Sequence, residues 1–184
     1  TKLDKIKVIE VQLQAYSAQN KLQEALQIGL DGLSDWQMSF PNRWHRLYIV
    51  RGLASSKLAL AGTRIEDLID LPQMSDVNKL AIMRIMSNLG TVAFLTAPEL
   101  VPLIVFKQVK FSVKYGHTAL SPYIYAIYGM ILCGVVGQVD IGYRFGRKKE
   151  VGTVDITHNI VAKYRLAAIG CLRVQVFHAI NDNV

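Results

Sequence analysis

The sequence predicts an all-α protein built of stacked antiparallel helix pairs, and three observations carry that expectation. From Pro98 to Phe145 the chain reads as two long apolar helices followed by the start of a third. Pro98 and Pro122 sit where a proline suits a first helical turn, and Gly116 and Gly137 sit where a glycine ends a helix in a left-handed conformation. These helices are also too apolar to stand alone. Val101, Ile104, Val105, Phe111 and Val113 on the first, and Tyr125, Ile127, Tyr128, Ile131 and Leu132 on the second, need neighbours on more than one side.

In chain order, Leu3 to Ser17 and Lys21 to Leu33 form a first pair, with Ile6, Ile9, Leu13 and Tyr16 at helical spacing before a break at Asn20. The spacing from Tyr16 to Ala25 across that break matches the tetratricopeptide pattern, in which a small residue on the second helix lets the first approach closely. Gly142 occupies the corresponding place after Gly137. Trp36 to Pro41 reads as a linker, and Asn42 is positioned to cap a helix running to about Ala61 through Leu47, Ile49, Val50, Leu53 and Leu58, closed by Gly62. Ile65 to Pro72 is acidic and short, enough for a turn or two before Pro72 stops it. Ser75 or Asp76 then caps a strong helix from Val77 to about Leu95, with Leu80, Met83, Ile85, Met86 and Leu89 facing the core. Residues 1–146 are thus read as a helical repeat module. Residues 147–184 form a tail that loses the pattern, with alternation over Val151 to Ile156 suited to a short strand and a helical run from Ile160 to Val176.

A hydrophobic fraction of 51% with 19% charge excludes a disordered chain, and 184 residues suffice for one sizeable core. A mean hydropathy of +0.24 raises the question of a membrane span, for which the uncharged run Thr118 to Val139 is the candidate. Pro122, the glycines, and tyrosines crowded into one half favour a buried helix instead. Cys133 and Cys171 lie in apolar surroundings and read as reduced thiols of a cytoplasmic protein. The opening Thr-Lys-Leu-Asp, without an initiator Met or a leader, is the expectation for a segment of a longer chain.

The net charge of +7 is unevenly placed: residues 37–64 hold Arg43, Arg46, Arg51, Lys57 and Arg64 with no acid, and residues 65–100 are net acidic. Such blocks read as neighbouring surfaces that complement each other, and no DNA- or RNA-recognition signature accompanies them, so nucleic acid is not an expected partner. Nucleotide-phosphate, nucleophile-elbow, metalloprotease and kinase motifs are all missing. Gly142 and Gly146 suit close helix packing, and Glu66, Asp67 and Asp70 suit a solvated acidic turn facing a basic neighbour. His45, His117, His158 and His178 are scattered. No residue is assigned a catalytic, cofactor-binding or metal-binding role. The candidate partner contacts are Lys107, Lys110 and Lys114, which fall on one helix face, and Tyr125 and Tyr128. The lysines are either the wet side of an amphipathic helix or a contact for phosphate or an acidic partner; the tyrosines, with Tyr123, either pack in the core or line a peptide groove.

The run KLALAGTRIEDLIDLPQMSDVNKLAIMRIMSNLG, followed by APELVPLIVFKQVKFSVKYGHTALSPYIYAIYGMILCGVVG and DIGYRFG, resembles the tetratricopeptide-like region of very large multidomain signalling kinases typical of cyanobacteria. In that family a serine/threonine kinase and an AAA-type ATP-binding domain precede this region, and a GAF sensor and a histidine kinase follow it. The resemblance covers roughly residues 8–146. It implies a non-catalytic connector between the ATP-binding and sensor halves, with neighbouring domains, a protein partner or self-association as its contacts; a peptide- or ligand-binding regulatory module is the alternative. After Gly146 the family continues as a Leu- and Ala-rich amphipathic helix, whereas this chain reads RKKEVGTVDITHNIVAKYR, either a diverged ending or a change of reading frame near Arg147.

Overall fold

The structure is a computed structural model that describes residues 2–41 and 46–146. Among these residues it is all-α: α1 (Lys2–Ala18), α2 (Leu22–Ser34), α3 (Arg46–Leu60), α4 (Val77–Thr96), α5 (Val101–Tyr115), α6 (Ser121–Gly134) and α7 (Val139–Gly146), with 3-10 turns at Glu66–Asp70 and Pro98–Leu100. The short strand and helix expected beyond Gly146, and the Asn42 cap, lie outside the described residues.

The turns form where the sequence places left-handed backbone. Asn20 (φ 59°) separates α1 from α2, Gly62 (φ 86°) ends α3, Gly116 (φ 100°) ends α5, and Gly137 (φ 75°) leads into α7. Asp76 caps α4, its carboxylate accepting from the amides of Asn78 at 2.9 Å and Lys79 at 3.2 Å. Pro98 starts a 3-10 turn and not the helix itself; α5 begins one turn later and carries Pro102 in its own first turn. The run considered as a membrane span is broken, because α6 covers only 14 of its residues before the chain turns at Gly137. No helix among the described residues is long and apolar enough to cross a membrane.

Small residues set the helix crossings. A Cβ on Gly32 would meet Ile9, and one on Gly29 would meet both Leu13 and Leu89, so α1 and α2 run antiparallel with α4 against them. The exposed Arg84 guanidinium of α4 donates to Glu10 of α1 at 2.9 Å along the same seam. Next, α4 pairs antiparallel with α5, where Gln108 donates to Ser87 at 2.9 Å; α6 lies against α5 and α7. The packing of α4 on both helices of the first pair has no counterpart at α6. Between these pairs α3 leaves the sequential order and packs on α5.

The docking of α3 leaves most of its large apolar residues outside the core. Ile49 is buried, but Leu47, Val50 and Leu58 are 80%, 61% and 76% exposed. The reason is that α3 seats its smallest side. A Cβ at Gly52 would stand 2.8 Å from the Phe106 ring, and Ser56 is fully buried against Tyr128. Close approach of the backbone over Phe106 wins over burial of the leucines on the opposite side.

Candidate functional site

Tyr125 and Tyr128 stand one helical turn apart on α6, on the side that faces α5 and α7. Both rings are interior, 4% and 1% exposed, so of the two readings for this pair the structure has core packing and not a groove lining. Phe106 of α5 meets Tyr128 edge-on at 5.9 Å between ring centroids; Phe145 of α7 meets Tyr128 edge-on at 5.0 Å and stacks on Tyr125 at 6.1 Å. Each hydroxyl is satisfied inside the protein. The Tyr128 hydroxyl lies 3.1 Å from Ser56 Oγ, which itself donates to the Leu53 carbonyl at 2.8 Å. The Tyr125 hydroxyl lies 3.1 Å from His117 Nε2. Burial pushes both phenols above their usual pKa, more than hydrogen bonds with Ser112 for Tyr125 and Ser56 for Tyr128 pull them back.

His117 is a buried loop residue that joins two connections. Its amide donates to the Pro72 carbonyl and its carbonyl accepts from the Met74 amide, both at 2.8 Å, pinning the α5–α6 turn to the segment before α4. Ser121 Oγ accepts from the Thr118 amide at 2.9 Å in the same turn. Among the described residues no buried side-chain nitrogen or oxygen lacks a hydrogen-bond partner. These polar groups therefore read as a satisfied interior, without a group held ready for a ligand.

Lys107, Lys110 and Lys114 share one face of α5, as their spacing predicts, but they do not form one solvated stripe. Lys107 is half-buried with its ammonium over the Phe40 ring at 5.0 Å, and burial, with Lys110 nearby, lowers its pKa. Lys110 is exposed and donates to Ser55 of α3 at 2.7 Å. Exposed Lys114 lies over the Tyr115 ring at 5.0 Å. Only the last two present charge to solvent, and Lys110 does so at the edge of α3.

The remaining candidates resolve as local structure. Asp67 pairs with Arg64 through two 2.9 Å contacts, the basic neighbour anticipated for that acidic turn. Gly142 packs against Gly129 and Cys133 of α6, where a Cβ would stand 2.5 Å from the Gly129 carbonyl oxygen. Cys133 is half-buried, donates to the Val139 carbonyl at 3.6 Å, and has its thiol pKa raised by burial. No group of His, Cys, Asp and Glu among the described residues is arranged to hold a metal ion. His45, His158, His178 and Cys171 lie outside the described residues.

The surface that the residue pattern did not single out is the outer side of α3. The signal for it is in the sequence: Gly52, Ser55 and Ser56 on one side of a helix whose other side is Leu47, Val50, Ala54 and Leu58. No protein-family model, curated protein or solved structure matches the chain.

Proposed function

We propose that this chain is a non-catalytic helical scaffold that holds other domains or partners on its outer faces. The observation that carries this reading is the burial of Tyr125 and Tyr128 with both hydroxyls satisfied, since an inner peptide groove would need those rings exposed. Packing of α4 on both α1 and α2, with Gly29 at the crossing, supports a tetratricopeptide-like stacking of the first two pairs. The resemblance of residues 8–146 supplies a context for the scaffold: a cytoplasmic connector in a multidomain signalling kinase, between an ATP-binding domain and sensor and histidine kinase modules.

A scaffold of this kind binds no nucleotide itself, because the chain has none of the loops that cradle phosphate. Equilibrium dialysis of the full chain against ATP with magnesium is expected to show equal total ATP concentrations on both sides at micromolar ATP. Stoichiometric retention at micromolar affinity would overturn the scaffold reading in favour of a nucleotide-dependent module.

A further inference from the structure

Leu47, Val50, Ala54 and Leu58 form one stripe along the outer side of α3 by helical spacing, and all four are exposed. The opposite side is already seated on Phe106 and Tyr128 through Gly52 and Ser56. A helix that seats its small side and turns its large apolar residues outward leaves that stripe available to a second layer. Positive charge borders the stripe on both edges. Arg51 is exposed on one edge, beside Ser55 and the Lys110 ammonium that Ser55 accepts. On the other edge Lys57 is half-buried and donates to Gln138 at 2.6 Å. Residues 37–64 contain no acid to offset this charge.

We propose that the outer face of α3 docks an acidic amphipathic helix of a partner domain or protein, its apolar side on Leu47, Val50 and Leu58 and its carboxylates toward Arg51, Lys110 and Lys57. This rests on the scaffold reading and names the partner chemistry for it. Ala54, in the middle of the stripe, gives a large partner side chain a place between Leu47 and Leu58. Charge decides against the other occupants. A second copy would set two purely basic helices against each other, and residues 147–184 carry six basic residues against three acidic ones. Three large apolar side chains on a helix held along its other side offer a bilayer little area to bury.

Fluorescence anisotropy on the full chain tests the proposal with two labelled synthetic helices that share a leucine stripe, one flanked by glutamates and one by lysines. The glutamate peptide is expected to bind, more weakly as salt is raised, and the lysine peptide to stay free. Leu47→Ser with Leu58→Ser is expected to weaken binding about tenfold or more. Because both side chains are exposed, the variant keeps the wild-type melting temperature, so lost binding is not lost folding. Arg51→Glu is expected to narrow the preference for the glutamate peptide, because Lys110 and Lys57 remain at the edges of the stripe. Any of four results would overturn the proposal: no binding of the glutamate peptide, equal binding of both, a dimer in sedimentation that the double serine variant abolishes, or co-sedimentation with phosphatidylserine vesicles that it abolishes. Failure here leaves the scaffold reading standing, since nucleotide dialysis tests that reading by a separate readout.

Discussion

Ile131→Asp is expected to abolish the cooperative thermal unfolding of the protein. Ile131 is fully buried in the last turn of α6, the helix whose tyrosines meet α5 and α7. An unpaired carboxylate at such a site costs several kcal/mol even after neutralisation and water entry. Total stability of a domain this size is only about 5–15 kcal/mol, so one such group removes much or all of it. Circular dichroism followed with temperature should show a broad, non-sigmoidal loss of helix. Val11→Asp on α1, at a site 63% exposed, serves as the control and should leave the transition within a degree or two of wild type. A sharp Ile131→Asp transition close to wild type would mean that α6 is not in the core.

Gly142→Ala is expected to destabilise the protein while Gly134→Ala stabilises it, although both place the same methyl group in a helix. Replacing glycine in a helix gains up to about 1 kcal/mol from propensity. At Gly134 nothing lies within 4 Å of the added carbon, so the gain stands. At Gly142 the carbon would stand 2.5 Å from the Gly129 carbonyl oxygen and 3.0 Å from the Cys133 amide nitrogen, and backbone cannot swing aside as a flexible side chain can. Overpacking of that kind costs about 3 kcal/mol, which outweighs the propensity gain and lowers the melting temperature by about 4–8 °C. The separation of α7 from α6 also draws Phe145 away from Tyr125 and Tyr128, so near-ultraviolet dichroism of the tyrosines should weaken in this variant and not in Gly134→Ala. Equal melting temperatures for the two variants would contradict the close α6–α7 crossing.

Helix ends were the most legible part of the fold, because they depend on local chemistry. Asn20, Gly62, Gly116 and Gly137 take positive φ where a break was expected, and Asp76 caps α4 through its own carboxylate. The side of α3 that faces inward was not legible. Periodicity ranks residues by apolarity and so favours Leu47, Val50 and Leu58, whereas the observed choice depends on how close a backbone can come to Phe106, a residue 54 positions beyond Gly52. The same limit applies to the partner contacts. Spacing placed Lys107, Lys110 and Lys114 on one face correctly, but only the chain folded on itself puts Phe40 under Lys107 and α3 beside Lys110. For Tyr125 and Tyr128 the sequence left core and groove open, and the positions of Phe106, Ser56, His117 and Phe145 decide for the core.

That decision underlies the account, and alkaline titration of the phenols tests it most directly. Folded-state pKa values raised by burial mean that the folded protein holds these two protons more tightly than the unfolded chain. Their contribution to stability is fully present below about pH 10, the unperturbed value, and is lost as pH rises toward the raised values. Ultraviolet absorbance recorded together with helix content should show a late step of phenol ionisation, above about pH 10, that coincides with loss of helix. Tyr125→Phe with Tyr128→Phe should remove that later step. Ionisation of every phenol in one step near pH 10, with the helix signal intact, would place both rings at the surface and contradict the scaffold account.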